Sequence, residues 1–189
     1  MIGDLLSTQY IITYTTHNPV PDGRLRYVLV EAEYEGLTGS DEGTYRVGEA
    51  GLFFDPETTF TFNGDTFRVD IYGISLPQFG MAHIVVDYDA AKVALISAEV
   101  GEFLGRAAPE PPTFIPTYFS GQVDLAMARR AEDSGVSGYG VLATLMFATI
   151  ADDPTSELEF STVDLRTMDD EPIDTVPGYT GYILSLIHI

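Results

Sequence analysis

From Leu52 onward the chain is a succession of short runs, each the length of one β-strand, cut apart by turn-forming residues. The predicted strands are Thr59–Phe62, Thr66–Tyr72, Ala82–Tyr88, Val93–Val100, Thr113–Phe119, Gln122–Ala128, Val141–Ile150, Glu157–Ser161 and Thr180–Leu184. Between them lie NGD, PQFG, DAAK, APEPP, EDSGVSG, ADDPTS and DDEP. Gly opens left-handed backbone, Pro fixes φ and Asp bonds its own main chain, so these are turns with a mechanism. MARRAED has the look of a helical turn, but the Gly-rich segment after it fits a strand ending in a loop. Many short strands with such turns predict an all-β sandwich. No repeat of roughly 20–50 residues indicates a solenoid.

The segment before Leu52 differs. Ile2–Leu6 reads as the end of a helix, and Tyr10, Ile12 and Tyr14 then share one face of a strand. HNPVPDGRL is a loop, and RYVLVEAEYEG alternates as a second strand. LTGSDEGTYRVGEAG is polar and Gly-rich and reads as a linker (residues 37–51) with a short strand at Thr44–Val47.

Charge narrows the function. There are 29 acidic against 9 basic residues, a formal net charge of −20, and Lys92 is the sole lysine. Such a surface repels phosphate backbones and anionic bilayers, which argues against nucleic acid and anionic membrane surfaces as partners. It fits a saline or calcium-rich extracellular setting, in which salt relieves self-repulsion. No run approaches the roughly 18 apolar residues of a membrane span, and Asp4 interrupts the start where a signal peptide would be apolar. With no cysteine, disulfides, thiolate metal sites and cysteine nucleophiles are excluded.

Catalytic candidates are sparse. His17, His83 and His188 are far apart in the chain, so no metal triad is expected. Asp152-Asp153, Asp169-Asp170-Glu171 and Glu132-Asp133 lie in turns, where ionised, solvated acids are the rule. Glycoside hydrolysis needs one carboxyl raised in pKa within a cleft. No EF-hand loop occurs. The chain is therefore read as a non-enzyme with no metal site or cofactor assigned, a lone structural Ca²⁺ among the acidic loops being the one alternative.

Three segments in order carry a family resemblance: FNGDTFRVDIYG, then FGMAHIVVDYDAAKVALISAEVGEFLG, then FSGQVDLAMARRAEDSGVSGYGVLATLMFATI. A Gly-Asp-Thr-Phe turn opens a strand. A strand ending in Tyr-Asp leads to an apolar strand and Gly-Glu-Phe-Leu-Gly. Ser-Gly-x-Gly precedes a Leu-Ala-Thr-Leu-x-Phe strand. Together they resemble a cohesin domain over residues 52–183, with Tyr88-Asp89-Ala90 where that family has Tyr-Asp-Pro. The resemblance implies a jelly-roll sandwich of about nine strands. It also implies binding of dockerin-bearing proteins in an extracellular scaffold for polysaccharide degradation or at a cell surface, any Ca²⁺ belonging to the dockerin.

LLSTQYIITYTTHNPVPDGRLRYVLVEA is similar to the last helix and strands of a bacterial von Willebrand factor A domain, so residues 1–36 read as a fragment of one, an αβ piece. The Asp-x-Ser-x-Ser metal motif of such domains is absent, and no adhesion site carries over. LSLIHI (residues 184–189) is what a transposon-based sequencing adapter would encode, and reads as a non-native tail.

Within the resemblance, strand alternation assigns the faces. Ala82, Ile84, Val86 and Tyr88 are expected inside, with His83, Val85 and Asp87 outside. Val123, Leu125 and Met127 are expected inside, with Asp124, Ala126 and Ala128 outside. Ala143, Leu145 and Phe147 are expected inside, with Leu142, Thr144, Met146 and Ala148 outside. The outward set (His83, Val85, Asp87, Asp124, Ala126, Ala128, Leu142, Thr144 and Met146) makes an apolar patch with a polar rim, the expected partner surface. Two other readings stand beside it. One is a structural spacer. The other is a carbohydrate-binding module of the same fold, with Tyr118, Phe119 and Tyr139 as the platform and a polysaccharide as ligand. The chain has 11 Tyr, 11 Phe and no Trp, and Tyr118 and Phe119 cannot share a strand face.

Overall fold

The computed structural model describes residues 25–34, 37–46, 50–153, 155–176 and 181–185. The helix read at Ile2–Leu6, the strand around Tyr10, and His17 and His188 lie outside them. Two units separate at Gly48/Glu49. In the first, β1 (Leu25–Tyr34) and β2 (Leu37–Arg46) form an antiparallel hairpin paired along its whole length, Leu25 opposite Arg46 through Tyr34 opposite Leu37. The linker reading of 37–51 is thus corrected over 37–46. Paired backbone groups, which polarity and glycine content do not report, make this stretch a strand.

The second unit contains β3 (Ala50–Asp55), β4 (Thr58–Thr61), β5 (Thr66–Tyr88), β6 (Val93–Val100), the one-turn helix α1 (Glu102–Gly105), β7 (Thr113–Phe119), β8 (Gln122–Ala128), β9 (Val136–Thr149), β10 (Ser156–Thr167), β11 (Thr175–Val176) and β12 (Gly181–Ser185). It is an all-β sandwich. The reading of 184–189 as non-native meets Leu184 and Ser185 in β12, paired in parallel with Phe60 and Thr61; residues 186–189 are outside the described set.

The predicted strands 66–72 and 82–88 prove to be one element. β5 passes from one sheet to the other, and this passage builds the sandwich. Its first half pairs β3 and β9, and its second half pairs β8 and β10. Between them the β9 register shifts at Gly73/Leu76 and Leu76/Phe79, with Ser75 and Gln78 at positive φ. Bulges of this kind let a strand bend without losing its ladder. One layer is therefore β11-β3-β5-β9-β6, and the other is β7-β8-β5-β10-β12-β4.

Alternate side chains of both layers meet in one core that includes Ile71, Ile84, Val86, Leu125, Leu145 and Phe147, each fully buried. Aromatic contacts tie the layers together. Phe54 stacks on Phe160 with centroids 4.1 Å apart, and Tyr88 meets Phe147 edge-on at 5.3 Å. Two glycines are fixed by geometry. Gly121 turns the β7-β8 hairpin at φ 77°, and a Cβ on Gly101 would lie 2.1 Å from the Val141 carbonyl oxygen. The Arg129 guanidinium is buried at the end of β8. It donates to the carbonyls of Leu104, Arg106 and Ser134, and so clamps α1 to the sheet.

Candidate functional site

The outward residues of β7, β8, the second half of β5 and β10 line up through cross-strand pairing. Met81 pairs with Ala128, His83 with Ala126, Val85 with Asp124 and Asp87 with Gln122. On one flank Ile115 lies opposite Ala126 and Thr117 opposite Asp124. On the other, Thr162, Asp164 and Arg166 lie opposite Val85, His83 and Met81. Small alanines at the centre leave a depression. A groove of about 580 Å³ runs there over Met81, Ala126 and Ala128, lined also by Ile115, His83, Asp164 and Arg166.

The polar rim is internally paired. His83 Nε2 lies 2.9 Å from Asp124 Oδ1. Gln122 donates to Asp87 at 2.7 Å. Arg166 holds both oxygens of Asp164 at 3.1 Å and also reaches Asp170. Asp164 first, then Asp170, keeps its guanidinium above the usual arginine range. Ile115 stands 57% exposed beside the alanines, a large apolar side chain with no cover. Acids outnumber bases on this face, since Glu159, Asp87, Asp124, Asp164 and Asp170 stand against Arg166 and His83.

Six of the nine residues expected on the partner surface occupy this face: His83, Val85, Asp87, Asp124, Ala126 and Ala128. Val85 is only 8% exposed. It lies outside the core cluster and is covered on the outer side, where Asp124 and Thr162 flank it. It does not line the groove, whose residues begin at Met81, Ala82 and His83 on this strand, and so offers little surface to a partner. The other three are placed differently. Thr144 and Met146 are on β9, on the outer face of the opposite sheet, paired with Asp70 and Arg68. Leu142 does not face outward at all; it is fully buried in the core. The cause is a bulge. Ala143 pairs with Ile71 and Val141 with Tyr72, so Leu142 is an extra residue that turns inward.

Residues 113–119 and 162–167 were the missed part of the face. FSTVDLRT does carry the signal, because Val163 and Leu165 pack inward while Thr162, Asp164 and Arg166 point out.

The aromatic trio is also redistributed. Phe119 shares the partner face with Gln122. The Tyr118 hydroxyl accepts from the Ala98 amide at 3.2 Å. Tyr139, 64% exposed, lies 6.4 Å from Tyr72. The three expected platform residues therefore form no common platform.

The acidic clusters sit in turns with partners of their own. Asp152 accepts from Asn63 at 2.8 Å, and Asp153 is held below the usual carboxylate range chiefly by Thr155. Among the described residues no cluster of three or more His, Asp or Glu is arranged to hold a metal ion, and no helix is long and apolar enough to cross a membrane.

No family model matches the chain, and no curated protein does. Solved cohesin structures do match in fold. A non-cellulosomal cohesin of the hyperthermophilic archaeon Archaeoglobus fulgidus superposes with a TM-score of 0.61 at 12% identity, covering 74% of this chain and 92% of that one. The sixth cohesin of scaffoldin B from Acetivibrio cellulolyticus, solved in complex with a dockerin, gives 0.63 at 18% identity, covering 73% and 99%. A type II cohesin from the cellulosome of the same organism gives 0.60 at 13%, covering 71% and 95%. The chain thus has a cohesin-like fold.

Proposed function

We propose that the chain is a non-catalytic, cohesin-like interaction module that binds a dockerin-bearing partner in an extracellular or cell-surface scaffold. The observation that carries this reading is the groove over Ala126, Ala128 and Met81, with Ile115 exposed beside it and charged groups at its edge. A small-residue floor lets a partner helix approach the sheet closely, and a polar rim sets its register. The fold likeness supports the same assignment, because several matching cohesins are described in complex with dockerins. No cofactor belongs to the module in this reading; calcium would belong to the partner.

Calorimetric titration of the full chain with a panel of calcium-loaded dockerins tests the proposal. Saturable binding abolished by Ala126→Arg supports it, since the new side chain would fill the groove. Heat signals absent across type I and type II dockerins would refute it.

A further inference from the structure

The opposite sheet carries a line of rings that the groove face lacks, half-buried at Phe53 and Tyr72 and exposed at Tyr139. Phe53 of β3 and Tyr72 of β5 pair directly across strands, their ring centroids 5.1 Å apart and their planes tilted by 38°. Tyr139 of β9 continues the line, 6.4 Å beyond Tyr72 with a 24° tilt. Three strands thus contribute to one strip of rings. Its outer end is anchored, because Arg106 donates to the Tyr139 carbonyl at 2.7 Å and to Glu102 at 3.0 Å.

The next row along the strands is polar. Asp55 pairs with Asp70, Asp70 with Thr144, and Thr144 with Glu99. Arg68 holds Asp70 through two bonds of 2.8 and 2.7 Å, and the Thr144 hydroxyl donates to Asp70 at 2.6 Å. Rings beside an ordered row of carboxylate, hydroxyl and guanidinium groups are what a sugar chain needs. Its C–H faces pack on aromatic carbon while its hydroxyls exchange hydrogen bonds at the side.

Spacing and charge define the ligand further. The ring separations are comparable to one pyranose unit along an extended glycan, so successive rings meet successive sugars. The rings are tilted against one another by 38° and 24°, which suits a single soluble chain and not a flat crystalline surface. The net charge of −20, with Asp55, Asp70 and Glu99 close by, repels uronic or sulfated chains. We infer that the Phe53–Tyr72–Tyr139 strip is a binding site for a neutral, single-chain polysaccharide, on the sheet opposite the groove.

Affinity electrophoresis of the full chain in native gels tests this, using soluble mixed-linkage glucan, xyloglucan and galactomannan, with carboxymethylated glucan as the anionic comparison. The expected result is retardation by at least one neutral glycan and none by the anionic one. Tyr139→Ala, at the most exposed ring, should weaken that association roughly tenfold, while Tyr139→Phe retains most of it. Phe60→Ala, an exposed ring on β4 away from the strip, should change nothing. Failure of every neutral glycan to retard the chain would overturn the inference. So would a Tyr139→Ala variant that runs like the parent, or an equal loss from Phe60→Ala.

Discussion

The two outer faces of this sandwich share a strand and differ in almost everything else. The face built on the second half of β5 has alanines at its centre, and so a groove of about 580 Å³ between charged edges. The face built on the first half has rings at one end and, beside them, the bonded trio Arg68, Asp70 and Thr144. Small side chains leave a concave surface that a shaped partner can fill. A line of rings across three strands favours an extended ligand. One backbone passes through both, so the chemistry of each face is set by which side chains alternate outward on either side of the β5 crossing.

The largest expected effect tests whether the two faces rest on one core. Phe147 is fully buried and touches Phe67 at 5.6 Å and Tyr88 at 5.3 Å, one from each half of β5. Phe147→Ala should cost about 3–5 kcal/mol and lower a single calorimetric transition of the sandwich. A melt in which one sheet outlasts the other would break the claim of a shared core.

A smaller effect separates the sheets. Arg129→Met leaves the carbonyls of Leu104, Arg106 and Ser134 without their donor, at about 2–3 kcal/mol. Chemical denaturation should report that loss, and proteolysis should speed up between α1 and β7. Thr144→Val should cost about 1 kcal/mol by removing the Asp70 bond on the ring-bearing sheet. It should leave dockerin titration unchanged, which sharpens the distinction between the faces. The smallest effect belongs to the whole surface. With a net charge of −20, added salt should raise the melting temperature by screening self-repulsion; a melt indifferent to salt would show that the acids are already locally compensated.

Much of this fold is legible in the residues. β6, β7 and β8 fall where the turns DAAK, APEPP and FSGQ bound apolar alternation, and their ends agree with the predicted ones. β5 is not legible as one strand, because Gly73, Pro77 and Gly80 read as a break. The structure spans that stretch with bulges instead. AGLFFD has neither alternation nor clean turn signals, and β3 was missed for that reason. The candidate surface was legible on β8 and the second half of β5, where strand alternation read in the register of the cohesin resemblance assigns the faces. It was not legible on β9. Leu142 turns inward through a bulge that depends on pairing with β5, and no local pattern shows which sheet β9 joins. The ring strip was hidden for the same reason, since Phe53, Tyr72 and Tyr139 become neighbours only through strand order.

The most direct test of the account sets one face against the other. Ala126→Arg and Met146→Asp, prepared in the full chain and checked for parental melting behaviour, are titrated side by side with a calcium-loaded dockerin that binds the parent. The account predicts that Ala126→Arg abolishes binding and that Met146→Asp binds like the parent. The reverse pattern would move the partner surface to the sheet of β9 and contradict the assignment made here.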